Sequence, residues 1–393
     1  MESLNKKTFM ILMGEMFFSS EDIVHVLNHL RKSLLCSHKF VVNIKDMTPK
    51  ILMVEPWICS YENFKFFKLF RMSKKTFIEL AEKIGKSDEK KILAKPYTGG
   101  HYPVSLYGHI LIFLWYMATQ DTLLSIGTRF KVSPTTVMSI TNKVLYFMLK
   151  LKSAYIKFPK NEAEMRDISE GFKKYPGVIG AVDGTHIFVK VEKSQQDSYI
   201  DRYRRTSINL MAICDSNTLF TYVFLGYPGS AHDSRVFENS IMCKNIERHG
   251  PNFYFLDTQK YHLIGDSAFA LRTWLITPYR GDNVTRKQKF HNYCLSSDRV
   301  KIEHCFGAYK GRWRRVQYIN TYNICKAVEI ATAACVLHNF CILHKDTWNN
   351  DFFGIDLDRN INQAELEDRG NIEAKRKRNR IADTLFLCRY NIE

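Results

Sequence analysis

The sequence predicts a mixed α/β fold: a sheet domain preceded by a helical region. Two observations carry this. Apolar runs of strand length begin at Gly177 and recur as far as Asp266, interrupted by one helical pattern and followed by another from Asp298 to Trp313. Before them, the stretch from about Leu106 to Lys150 reads as helix. Strands, a helix, a strand and a helix in that order describe a mixed sheet covered by helices.

Taken in order, the first sixty residues read as short helices with weak punctuation. Phe66 to Arg71 leads through Met72 and Ser73 into Thr76 to Ala81, where Ser73 suits a helix N-cap. Thr98-Gly99-Gly100 breaks this region, and the long helical stretch follows. Inside it, Ile126, Phe130, Val132, Val137 and Ile140 are spaced so that two short helices pack across a tight turn. Gly127 is small where they would cross, and Ser133-Pro134 is a good N-cap and N1 pair for the second helix. Thr135, Thr136, Ser139 and Asn142 then project from its outer face. This is the pattern of a helix-turn-helix, whose second helix enters the major groove. Lys131 stands at the turn where that motif usually has glycine, and an ordinary helical hairpin fits the same spacing.

From Gly177 the rhythm is that of strands. Gly177 to Asp183 is an apolar run ending in an acid, and Gly184 to Lys190 is expected to return as its hairpin partner. Ile208–Cys214 and Leu219–Leu225 follow as strands around the turn Asp215-Ser216-Asn217. His232–Met242 reads as one helix, and Tyr261–Asp266 as a short strand ending in a second acid. The chain divides on this basis into a segment 1–60 without assigned role, a helical region 61–155, a sheet domain 170–345 and a basic tail 346–393.

Bulk properties narrow the function. The chain has 393 residues, 45% of them hydrophobic, so it holds at least one sizeable core. Its 57 Lys and Arg against 40 Asp and Glu give a net charge of +17, which fits a polyanionic partner such as DNA. Ten cysteines without a C-x-x-C pair point to reduced thiols in an intracellular chain. The apolar run around Ile110–Met117 is shorter than the ~20 residues a membrane helix needs, which points away from a membrane role. The cluster Lys375-Arg376-Lys377-Arg378-Asn379-Arg380 suits nuclear import or phosphate contact, or is a solvated helix face.

Three carboxylates carry the expected chemistry. Asp183 and Asp266 each end an apolar strand, where ligands of α/β sheets bind. Glu303 lies at the edge of a helical apolar stripe marked by Ile302 and Phe306, one turn after Arg299. Three hard oxygen ligands suit Mg²⁺ or Mn²⁺ rather than zinc. Two such ions about 3.5–4 Å apart serve phosphodiester cleavage. Caps and salt-bridge partners are the competing reading of such acids. Lys310, Arg312, Arg314 and Arg315, with Trp313 among them, are candidates for backbone phosphates. Asp233 opens a helix, and Asp215 reads as a turn-former. Cys335, His338, Cys341 and His344 recur every third residue, which winds them around a helix instead of converging them on zinc.

Four ordered blocks sharpen this reading: Asp183-Gly184-Thr185-His186-Ile187, Gly226 to Phe237, Gly265-Asp266-Ser267-Ala268-Phe269 and Arg299-Val300-Lys301-Ile302-Glu303. Together they resemble the DDE transposase domain of Harbinger-type elements and the nucleases derived from them. The similarity runs from about Tyr175 to His344 and includes Val336-Leu337-His338-Asn339-Phe340. Ala268-Phe269 departs from the family's usual Gly-Tyr. The resemblance implies an RNase H-like fold and a catalytic, metal-holding triad of Asp183, Asp266 and Glu303. Asp233, in a matched block, and Arg299, one helical turn before Glu303, are expected to support that triad without holding the metal themselves. A pair of divalent cations, Mg²⁺ or Mn²⁺, is expected at the triad; the resemblance implies DNA as substrate and a separate Myb-like DNA-binding protein as partner. It leaves a homo-oligomer open, as it does a domesticated DNA-binding or chromatin-interaction protein without turnover. A nuclear location is expected, with the cytoplasm as a second one.

Overall fold

A computed structural model describes residues 60–87, 93, 103–201, 203–254, 260–281, 283–346 and 370–390. The expected helices before residue 60, the break at Thr98-Gly99-Gly100 and most of the segment 346–369 lie outside the described residues. The chain forms two compact units, one of Met1–Tyr116 and Asp121–Val144, the other of Met117–Gln120 and Leu145–Glu393.

The first unit is helical. Helices α1 (Asn63–Phe70) and α2 (Lys74–Gly85) are followed by α3 (Leu106–Ala118), α4 (Leu123–Phe130) and the start of α5 (Pro134–Lys150). Ser73 caps α2 as expected, its hydroxyl accepting from Thr76 N. An aromatic core of Phe66, Phe70, Phe77, Trp115 and Phe130 ties the unit together. Helix α4 ends where Lys131 takes a left-handed conformation, φ 53°, and Val132 N donates back to Gly127 O at 2.9 Å. Gly127 is needed there because a Cβ would come within 2.6 Å of the Val132 carbonyl. The close approach is thus to the turn itself, not to a helix crossing.

The second unit is built on a six-stranded mixed sheet among the described residues, in the order β3-β2-β1-β4-β5, with β6 also beside β1. Its strands are β1 (Val178–Val189), β2 (Ser207–Cys214), β3 (Phe220–Pro228), β4 (His262–Ile264), β5 (Leu275–Ile276) and β6 (Tyr318–Ile319). Its longer helices, besides two single-turn ones at Lys152–Tyr155 and Gln196–Tyr199, include α6 (Glu162–Gly171), α7 (Asp233–Glu238), α8 (Ile241–His249), α9 (Arg286–Arg312), α10 (Ile324–Leu343) and α11 (Ile372–Tyr390).

Three expectations change. Asp183-Gly184 does not turn; β1 runs straight through, because β2 pairs with it antiparallel from Ala181 opposite Cys214 to Phe188 opposite Ser207. The helix expected over His232–Met242 is two, since Ser240 leaves the helical path and caps α8 through Cys243 N. Helix α9 begins twelve residues before Asp298, at a capping box in which Thr285 and Gln288 satisfy each other's backbone N–H.

The edge of β1 facing away from β2 matters most for the site. Strand β4 pairs parallel with its start, Ala181 opposite Ile264, and β6 pairs parallel with its end, Phe188 opposite Tyr318. Between these two pairings the middle of β1, where Asp183 lies, has no strand beside it on that edge among the described residues.

One face of the sheet is closed by Val236, Phe237, Met242 and Ile246 of α7 and α8 over Val182, Met211, Ile213 and Leu263. Helix α10 supplies a second buried layer. It is long and apolar enough to cross a membrane, but 72% of its apolar window is buried inside the protein, which makes it a core helix. Its His338 and Asn339 bind the β2–β3 turn. His338 Nε2 lies 2.9 Å from Thr218 O, and Asn339 bonds both the N–H and the carbonyl of Phe220. Asp215 is the turn-former the sequence suggested, accepting from Asn217 N and Leu219 N. Cys335, His338 and Cys341 are buried in this packing, and among the described residues no group of three or more His, Cys, Asp or Glu stands ready as a metal cluster.

Candidate active site

Asp183 and Asp266 meet because of strand register. Ala181 and Ile264 are partners in the parallel β1–β4 pair, and each acid lies two residues further along its chain. The two carboxylates therefore leave the same end of β4, beside the open stretch of β1. Asp266 is half-buried and folds its own loop by accepting from Ala268 N at 2.7 Å. Gly265 lets that loop close, since a Cβ would meet Phe269 at 2.9 Å and Val182 at 3.1 Å.

Glu303 reaches the site from α9, and Arg299 ties it in. The Arg299 guanidinium donates from Nη1 to Asp183 Oδ2 at 3.1 Å and from Nη2 to Glu303 Oε1 at 2.6 Å. The i, i+4 spacing on one helix makes the second contact, and the packing of α9 across β1 makes the first. Asp183 also accepts from the Gly184 N–H at 2.8 Å.

Asp233, at the start of α7, completes the acidic group. Its Oδ1 accepts from Asn209 Nδ2 at 2.6 Å, and a Cβ at Gly184 would come within 2.3 Å of it. Glycine at position 184 is thus a matter of space for Asp233. Asn209 was invisible to sequence reasoning, because the pair joins β2 to a helix 24 residues later.

Electrostatics follow from this crowding. Burial pushes the Asp183 carboxyl up to about 7; Arg299 opposes the rise, while the Asp266 and Asp233 carboxylates add to it. Its side chain keeps 19% of its surface, so the group is recessed but open to a small ligand. Arg299 bonds Asp183 and Glu303, the Asp266 and Asp233 charges act on Asp183, and Lys310 Nζ donates to Thr185 Oγ1 on β1 at 2.7 Å. As placed, the described side chains form no ready group of three or more metal-holding acids. The carboxylate oxygens of Asp183, Asp266 and Glu303 are the donor type that a hard divalent ion takes in preference to zinc.

The other expected residues divide. Thr135, Ser139 and Asn142 are exposed on α5, and Thr136 is half-buried, both threonine hydroxyls bonding the Ser133 cap. Lys310 and Arg314 are half-buried. Arg312 and Arg315 are not surface cations: they are 3% and 5% exposed. Arg312 is held by Asp346, donating to its carbonyl at 2.6 Å and lying 3.6 Å from its carboxylate. That pairing removes it from any phosphate, and burial does the same for Arg315. Trp313 is fully buried and packs. The segment expected as a basic tail ends in helix α11, which packs along α9, and its Lys377 and Arg378 are buried.

Residues 182–339 match the family described as DDE superfamily endonuclease. The chain thus carries a DDE superfamily endonuclease domain. Among its relatives, Protein ALP1-like of Arabidopsis thaliana is 26% identical over 297 residues, covering 73% of this chain and 72% of that one. Putative nuclease HARBI1 of Homo sapiens is 27% identical over 254 residues, 62% of this chain and 70% of that one. No solved structure matches. The matched domain and these relatives are consistent with the Harbinger-type resemblance of the four motif blocks.

Proposed function

We propose that the protein is a metal-dependent DNA endonuclease with an RNase H-like catalytic domain, in which Asp183, Asp266 and Glu303 hold one or two Mg²⁺ or Mn²⁺ ions. The observation that carries this is the convergence itself: parallel register sets Asp266 beside Asp183, and Arg299 joins both Asp183 and Glu303. Bound divalent ions would supply Lewis-acid activation of the attacking oxygen and stabilise the leaving one.

The chain's own part is to position and to neutralise. Asn209 and Gly184 fix Asp233 behind the triad, and Arg299 holds Asp183 and Glu303 in a common orientation. Lys310 of α9, bonded to Thr185 two residues along β1 from Asp183, suits a phosphate of the strand being cut. Helix α5, with Thr135, Thr136, Ser139 and Asn142 near its start, suits duplex recognition. A nuclear location and a Myb-like DNA-binding partner belong to the same reading and rest on the family resemblance.

The second reading is DNA binding without turnover. It is favoured by one observation, that the Arg299 cation already bridges two of the three acids. Supercoiled plasmid in Mg²⁺ and then Mn²⁺, with Asp266→Ala alongside, separates the two. Nicking by the wild type alone is expected; binding by both proteins with nicking by neither would replace the first reading with the second.

A further inference from the structure

We propose that helix α11, which lies beyond the matched endonuclease segment, is a working part of the site: Lys377 and Arg378 clamp the β4–β5 strand pair and thereby position Asp266. The proposal rests on the reading of Asp266 as a carboxylate of the reaction centre.

Asp266 sits in the excursion between β4 and β5, and those strands are short. Strand β4 has three residues and β5 two, joined by Leu263 N to Trp274 O at 2.8 Å and Gly265 N to Ile276 O at 3.1 Å. Strand β5 is also the outermost of the sheet. Such a pair has little ladder of its own to hold a ligand-bearing loop in register.

Helix α11 supplies the missing fixation from outside. Lys377 Nζ donates to Tyr261 O at 3.2 Å, one residue before β4, and to Thr273 O at 2.9 Å, two residues before β5. One ammonium group therefore ties together the entries of the two parallel strands between which the Asp266 excursion runs. The next residue holds the exit of β5: Arg378 Nη1 donates to Thr277 O at 3.4 Å and Pro278 O at 3.2 Å. Its guanidinium lies 4.0 Å over the Tyr279 ring, whose hydroxyl donates to Asn379 Oδ1 at 2.7 Å. Ahead of the helix, Gly370 pairs in parallel with Leu271 inside the excursion, so close that a Cβ would meet Leu271 at 2.9 Å.

Both cations are buried, Lys377 at 4% and Arg378 at 2% exposure. Desolvating two charged side chains is costly, and their hydrogen bonds to carbonyls offset that cost only while the strand pair stays in place. The centre of the Lys375–Arg380 cluster is thus internal scaffolding, while Arg376 and Arg380 remain exposed. A change in α11 reaches the reaction through Asp266 and not through DNA binding.

The full chain carrying Lys377→Met tests this, with Arg378→Lys as a milder variant that keeps the charge and Arg376→Ala as an exposed control. Hydrogen exchange of residues 260–281 and plasmid nicking are read together with DNA affinity. Lys377→Met is expected to speed exchange there at least about tenfold while leaving α10 protected. Its nicking rate should fall by about 10- to 100-fold with DNA affinity within about twofold, as for a misplaced reacting group. Arg378→Lys should lie between it and the wild type, and Arg376→Ala should match the wild type. If Lys377→Met does not fold, Arg378→Lys carries the same two readouts. Unchanged exchange, or faster exchange with an unchanged nicking rate, overturns the positioning role and leaves the endonuclease reading intact. A wild type that does not nick overturns both.

Discussion

The middle of β1 and the end of α9 are both crowded with charge, yet the two regions use it in opposite ways. Around Asp183 the acids are recessed but open, and burial, with the Asp266 and Asp233 carboxylates adding to it, raises the Asp183 carboxyl to about 7. At the end of α9 two of the four expected DNA-contacting cations are buried, and Arg312 pairs with Asp346. Frustrated charge that stays accessible is what a ligand site needs; satisfied charge that is sealed off is what a scaffold needs. A run of Lys and Arg in a sequence does not say which of the two it is.

The largest test of this contrast is Arg312→Met. Both side chains of the Arg312–Asp346 pair are 3% exposed, so removing one leaves the other buried and uncompensated. The expected loss is about 3–5 kcal/mol of stability, measured by denaturant unfolding. The double variant with Asp346→Leu should regain most of it. A single variant that unfolds like the wild type would return Arg312 to the list of surface cations.

How much of this was legible in the sequence follows the same division. The acids were legible because each ends or follows a strand-length apolar run, and because Arg299 precedes Glu303 by one helical turn. Their meeting was not: it depends on Ala181 pairing with Ile264 across more than eighty residues. Asp183-Gly184 was misread as a turn because glycine after aspartate usually marks one. Here the glycine makes room for Asp233, which no local pattern reveals. The early start of α9 was written in Thr285 and Gln288, whose spacing is that of a capping box. The burial of Arg312, Lys377 and Arg378 had no local signal at all, since their partners are a carboxylate and carbonyls elsewhere in the chain.

Acid pH should strike the scaffold before it strikes the strand register. Burial lowers His291 and His338 to about 4, so both are neutral in the folded protein well below the ordinary imidazole value of 6.5. Between about 6.5 and 4 the unfolded chain binds more protons than the folded one, and stability therefore falls as pH falls through that window. Each histidine contributes up to about 3 kcal/mol of the loss once pH has passed 4. His338→Gln should flatten part of this slope in unfolding measured from pH 7 to 4. A stability profile equally steep in the variant would mean that His338 titrates as an ordinary imidazole.

The smallest effect sharpens the comparison most, because it separates cations of the same short segment. Lys310 and Arg314 are half-buried, whereas Arg312 is sealed against Asp346. If the first two contact DNA backbone, each contributes about one released counterion, and log affinity against log salt becomes shallower by about 0.9 when either is changed to alanine. Affinity at moderate salt should then drop only a few-fold for each. Arg312→Met, examined at a temperature where it remains folded, should leave the slope unchanged because its charge is already neutralised inside the protein. Equal slopes for all three variants and the wild type would mean that the end of α9 does not touch DNA, and that the +17 surplus acts through other surfaces.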